Sequence, residues 1–186
     1  MLEIVIQGRG GQGAQTAGNL LAAAFFAAGH EVQCFATYGG ARRGTPVSSF
    51  LRVDDKPVRL RCDIERADAI LCFDASLLAP PLLACASEGT LIVVNSAQGI
   101  GEFAKALPGR RVLPIDGLAV SRRHGLGRIV NSALLGAFAR ALGSLPLPVL
   151  EATLAERSPK LHEENLAACE EGWRVAEALL AEEALS

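Results

Sequence analysis

Apolar residues gather in short blocks separated by glycine-rich turns, and the period changes along the chain. Leu2 to Gln7 is a brief apolar run that breaks into Gly8-Arg9-Gly10-Gly11-Gln12-Gly13, which predicts a strand entering a tight turn. From about Ala14 to Ala28 the period becomes helical, with Ala17, Leu20, Leu21, Ala24 and Ala28 on one face. Phe25 and Phe26 carry the apolar surface round the other side, so the helix is expected to be covered on both, with another subunit as one candidate cover. Gly29 suits a helix C-cap, and Glu31 to Ala36 restarts a strand.

The next segment, Thr37 to Pro46, is a loop rich in glycine that carries Tyr38, Arg42 and Arg43. Val47 to Val53 alternates as a strand, Asp54-Asp55 turns it, and Lys56 to Arg61 returns, which predicts a β-hairpin. Ala69 to Phe73 and Thr90 to Asn95 are unbroken apolar runs, the pattern of strands buried on both faces. A short helix is expected over Pro80 to Ser87 and a last strand over Arg111 to Asp116. Helical spacing then dominates: Ile129, Ala133, Leu134, Ala137 and Ala141, a break at Gly143 to Pro148, a short helix over Leu150 to Glu156, and a closing helix from about Leu161 to Glu183. The chain reads as one α/β domain, residues 1–186, with a helical C-terminal third.

Composition narrows this picture. Half of the 186 residues are hydrophobic and only 5% aromatic, so the core is built of alanine, leucine and valine. The longest apolar stretch, Leu20 to Ala28, is too short to span a membrane. Met1-Leu2-Glu3 lacks the basic segment of a secretory signal, and a cytoplasmic location is expected. A net charge of -2 gives no footprint for nucleic acid. Cys34, Cys62, Cys72, Cys85 and Cys169 stand singly without a C-x-x-C, and His30, His124 and His162 are scattered, so neither a metal site nor an iron–sulfur cluster is expected on this chain.

Gly8, Gly10 and Gly13 follow the G-x-G-x-x-G spacing between a strand and a helix. Such a turn either aims backbone N–H groups at an anion or simply reverses the chain tightly. It lacks the lysine of a nucleoside-triphosphate loop, since Ala14 and Gln15 follow Gly13. The second strand, Val32 to Thr37, ends without the carboxylate that a dinucleotide ribose requires. Arg9, Arg42 and Arg43 suit a phosphate or a carboxylate, whether on a ligand or on a partner chain, and they also suit the loop's own carbonyls. Tyr38 either stacks on a ligand or packs under the loop. No nucleophile–base pair is suggested by the histidines, and Asp63, Glu65 and Asp68 read as a solvated turn, so no catalytic residue is assigned. By themselves the residues describe an anion-binding α/β domain. A freestanding NAD-linked protein and a purely structural assembly subunit stay open as alternatives.

The turn Gly8-Arg9-Gly10-Gly11-Gln12-Gly13 with the loop Tyr38-Gly39-Gly40-Ala41-Arg42-Arg43-Gly44-Thr45-Pro46 resembles the gamma subunits of 2-oxoacid:ferredoxin oxidoreductases. The resemblance continues through Val53 to Arg61, Asp74, Asn131, Asn165 and Gly172, and it is nearest to the pyruvate and branched-chain 2-oxoacid branches. It implies an α/β fold with a mixed, largely parallel sheet that includes a β-hairpin, flanked by helices. It further implies a subunit of an enzyme that oxidatively decarboxylates a 2-oxoacid on thiamine diphosphate, sends electrons through iron–sulfur clusters to ferredoxin and forms an acyl-coenzyme A. Thiamine and the clusters would sit on partner subunits of alpha, beta and delta type, and the isolated chain would be inactive. Gly8, Arg9, Gly10, Gly11, Gln12, Gly13, Tyr38, Arg42, Arg43 and Asn131 are then the residues expected to help accommodate coenzyme A.

Overall fold

The computed structural model describes residues 1–40, 44–158 and 160–185. The strands are β1 (Leu2–Arg9), β2 (Glu31–Tyr38), β3 (Pro46–Asp54), β4 (Ala67–Cys72), β5 (Ala86–Asn95) and β6 (Arg111–Ile115). The helices are α1 (Ala14–Ala27), α2 (Pro80–Leu83), α3 (Ile100–Ala106), α4 (Gly117–Arg123), α5 (Asn131–Leu142), α6 (Leu147–Arg157) and α7 (His162–Glu183). One sheet runs in the order β2-β3-β1-β4-β5-β6. β3 is antiparallel to both of its neighbours, while β1, β4, β5 and β6 pair in parallel.

The unbroken apolar runs arise because both faces of the sheet are covered. Along β1, Ile4 and Ile6 enter the core beneath α1 and α5, and Val5 enters the opposite core with Phe50, Ile70 and Ile92. Ala69 and Leu71 of β4 and Leu91 and Val93 of β5 follow the first face, while Ile70, Cys72, Ile92 and Val94 take the second. Period-two alternation therefore separates two apolar cores instead of a core and a solvent face.

One expectation is corrected. The hairpin exists, but one strand earlier: β2 and β3 pair antiparallel from Glu31↔Asp54 to Tyr38↔Val47, and the arginine-bearing loop is their connection. Lys56 to Arg61 forms no strand, because β1 and β2 already occupy both hydrogen-bonding edges of β3. On α1 the two phenylalanines part. Phe25 is 1% exposed within the chain's own core, where α1 lies between the sheet and α6. Phe26 projects outward and is 67% exposed.

Candidate functional site

The site grows from the carboxyl end of β1. The Arg9 N–H donates to Gln12 Oε1 at 2.7 Å and the Gln12 N–H to the Arg9 carbonyl at 2.9 Å, closing the turn on itself. The Gly10 N–H donates to the Thr45 carbonyl at 2.9 Å, which fastens the turn to the β2–β3 loop. Gly13 stands at φ 94°, a left-handed conformation that excludes most side chains. A Cβ there would also lie 2.6 Å from Asn131 Oδ1, so Asn131 leaves no room for a side chain at this position.

No side chain caps the N-terminus of α1, and no acidic residue occupies its first turn. Its leading N–H groups have no partner within the helix, and the helix dipole adds partial positive charge at this end. Arg9, Gly10, Gly11, Gly13, Ala14, Gln15, Thr16, Tyr38 and Thr45 border a cleft of about 820 Å³ in front of them. None of these side chains is acidic. The arrangement can hold an anion. His30 faces Asp55 and His124 faces Glu171, both away from the cleft.

The expected residues fall into distinct places. Tyr38 reaches the cleft 58% exposed, and its hydroxyl donates to Gln15 Oε1 at 2.5 Å, so it is a wall and does not pack under the loop. Arg9 borders the cleft with its guanidinium already engaged: Nε to Asp74 Oδ2 at 2.9 Å, Nη1 to the Gly44 carbonyl at 3.3 Å and Nη2 to Ser76 Oγ at 2.8 Å. It acts as a clamp between the glycine turn, the hairpin loop and the end of β4. Gly8 is buried in β1, and Gln12 turns its amide toward Asp74. Asn131 donates from Nδ2 to the Gly13 carbonyl at 3.3 Å and supports the turn without bordering the cleft. Arg42 and Arg43 lie outside the described residues. Gln15, Thr16 and Asp74 were not among the expected site residues. The first two stand in the first turn after the last glycine, which is where a signal for them existed.

Asp74 organises the clamp. Partial burial pushes its carboxyl up, but the Ser76 hydroxyl and N–H together with Arg9 outweigh this, and it ionises below the ordinary carboxylate range. A depressed carboxylate stabilises the fold at neutral pH, and that contribution is lost as pH falls from about 4 through its lowered value. Asp74→Asn is expected to cost about 1–3 kcal/mol at pH 7. The gap from wild type should shrink in acid, as read by urea denaturation at both pH values.

The cysteines do not form a ligand set. Cys72 is pushed up to about 12 by burial, and burial also raises Cys169, Cys85 and Cys34, so these thiols stay protonated. Cluster ligation requires thiolates, and among the described residues no three metal-binding side chains come together. No helix among the described residues is long and apolar enough to cross a membrane.

This geometry defines the class: an α/β domain that presents a glycine turn and a clamped hairpin loop at one end of a largely parallel sheet. The chain belongs to the pyruvate ferredoxin/flavodoxin oxidoreductase family, whose model matches residues 3–175. It is 39% identical to the pyruvate/ketoisovalerate oxidoreductases common subunit gamma of Thermococcus kodakarensis over 178 residues, 93% of this chain and 96% of that one. Among solved structures it is similar to the pyruvate oxidoreductase subunit PORC of Thermotoga maritima, with a TM-score of 0.82 at 30% identity over 93% of this chain and 95% of the other. The 2-oxoglutarate:ferredoxin oxidoreductase of Magnetococcus marinus, solved with 2-oxoglutarate, coenzyme A and succinyl-CoA bound, matches with a TM-score of 0.80 at 25% identity. That match covers 95% of this chain but 31% of the Magnetococcus chain, so the same fold there is one part of a longer polypeptide.

Proposed function

We propose that this chain is the gamma subunit of a multi-subunit pyruvate-type 2-oxoacid:ferredoxin oxidoreductase, working in the cytoplasm, and that its glycine-turn cleft receives the phosphates of coenzyme A. The observation that carries the ligand reading is the uncapped N-terminus of α1 facing an acid-free cleft. Family membership supports the assembly. Thiamine diphosphate and the iron–sulfur clusters belong to partner subunits of alpha, beta and delta type, ferredoxin docks on the assembled enzyme, and the isolated chain is inactive. Within this chain, the α1 N–H groups orient the coenzyme, Arg9 and Asp74 keep the hairpin loop on the turn, and Tyr38 walls one side of the cleft; Arg42 and Arg43 add charge that suits the phosphates. These residues position a substrate; the reacting groups come from the partners.

Gln15→Glu separates binding from architecture. Glutamate keeps an acceptor for Tyr38 and favours the helix dipole, so stability should hold or rise by about 0.3–1 kcal/mol. The same charge repels phosphate, and the KM for coenzyme A in the reconstituted enzyme should rise about tenfold, a change of about 1.4 kcal/mol, with thiamine and cluster content intact. Arg42→Ala and Arg43→Ala should act in the same direction. An unchanged KM in all three variants would make the cleft architectural. Loss of subunits in their place would favour a docking surface.

A further inference from the structure

The glycine turn has a second side. Gly10 and Gly11 form a ridge between the cleft described above and another of about 530 Å³. This second cleft opens outside the carboxyl ends of β1, β4 and β5, which finish at Arg9, Cys72 and Asn95. The chain leaves β1 toward β2 on one flank of the sheet and leaves β4 toward β5 and β6 on the other, so the winding reverses between β1 and β4. Open α/β sheets place ligand crevices at such a reversal.

Its lining is chemically one-sided. Phe73, Leu118 and Val130 supply apolar surface, and Arg122 and Arg128 supply the only charges among the described lining residues. The two arginines come from different elements, α4 and the segment before α5. Their neighbours are spoken for: Arg123 donates to Glu171 from Nε at 2.9 Å, and His124 pairs with the same carboxylate. No bond from Arg122 or Arg128 to a carboxylate occurs among the described residues. The carboxylates flanking the lining residues are already engaged, Asp74 beside Phe73 by Arg9 and Ser76, and Asp116 before Leu118 by the Ala119 N–H at 2.9 Å. Asn95 fixes the strand ends, accepting from the Gly117 N–H at 3.1 Å and donating to the Phe73 carbonyl at 3.2 Å. At Gly11 a Cβ would meet no atom within 4 Å, so the ridge is open above.

We propose that this second cleft is a binding site for a phosphate-bearing organic anion, with Arg122 and Arg128 gripping the phosphate and the Phe73–Leu118–Val130 surface carrying the apolar part. Guanidinium forks match phosphate oxygens, and an acid-free apolar wall excludes cationic ligands while favouring an organic ester over a bare ion. The site is separate from the α1 N-terminus and does not require that cleft to be occupied.

The test uses the full chain, labelled for NMR and titrated with inorganic pyrophosphate, beside the Arg122→Gln/Arg128→Gln variant. Saturable shifts of the Arg122 and Arg128 Nε–H and of the Asn95 side-chain amide are expected. Affinity should weaken at least about tenfold in the variant, with thermal stability unchanged. Shifts confined to Ala14, Gln15 and Thr16, or equal affinity in the variant, would overturn the proposal. So would a third outcome in the assembled enzyme: the variant sheds partner subunits while pyrophosphate produces no shift, which would assign the arginines to a partner's carboxylates.

Discussion

Gly172→Ala is expected to be among the most damaging single methyl additions in this protein. Gly172 of α7 faces α5 so closely that a Cβ would stand 2.0 Å from the Ala133 carbonyl oxygen. The reciprocal contact is as tight, since a Cβ on Gly136 would stand 1.9 Å from the Cys169 carbonyl oxygen. Both obstacles are backbone, which cannot rotate aside as a side chain does. The helices must separate, and Ala168, Cys169, Ala133 and Ala137, all buried at this contact, would lose their packing together. The cost should reach about 3 kcal/mol, or roughly 6–12 °C in melting temperature for a chain of this size. A second alanine at Gly136 should add less than its own single effect, because the first has already opened the seam. Chemical denaturation of the single and double variants measures both. A melting temperature unchanged in Gly172→Ala would contradict the close approach of α5 and α7.

Arg52→Ala should be comparable in cost for a different reason. Arg52 lies in β3, 2% exposed, yet its guanidinium is fully engaged. Nε donates to Glu3 Oε1 at 2.7 Å, Nη1 to the Cys62 carbonyl at 2.8 Å and Nη2 to the Asp63 carbonyl at 3.3 Å. These bonds attach the connection between β3 and β4 to the sheet. Removing the arginine leaves two carbonyls without donors and a cavity where its stem lay. Glu3 is partly exposed and can rehydrate, which holds the loss near the lower end of about 3–5 kcal/mol for breaking a buried pair. Arg52→Lys should recover little, because one ammonium cannot reach three acceptors in divergent directions. Faster proteolysis over residues 56–66 would locate the damage, and cleavage rates equal to wild type would argue against it.

Sequence and structure agree most where a local pattern has one physical meaning. The strand–glycine turn–helix opening, the doubly buried runs at β4 and β5, and the long closing helix lie close to their expected positions. α3 was missed: Phe103 is its one fully buried side chain, and its clearest signal is Glu102, which reaches back to the Gly99 N–H at 2.9 Å as a capping residue. The hairpin was displaced by one strand because Asp54-Asp55 is a good turn whatever follows it. Nothing local reveals that both edges of β3 are already paired.

The same division runs through the candidate site. The glycines were legible because a left-handed turn at a helix start leaves its mark in residue type, as Gly13 shows. The engagement of Arg9 was not, since its partners Asp74 and Ser76 come from a distant strand end. An arginine's sequence context does not say whether its donors remain available. By itself, then, the sequence determined the α/β class, the glycine turn and the family likeness, because periodicity, glycine conformation and motif wording are properties of neighbouring residues. Only the tertiary structure decided which edges of β3 pair, that Arg9 and Arg52 are clamps, that Gly136 and Gly172 allow two helices to touch, and that Arg122 and Arg128 share a cleft. Each of these depends on which groups from far along the chain arrive within bonding distance, and that is settled by packing.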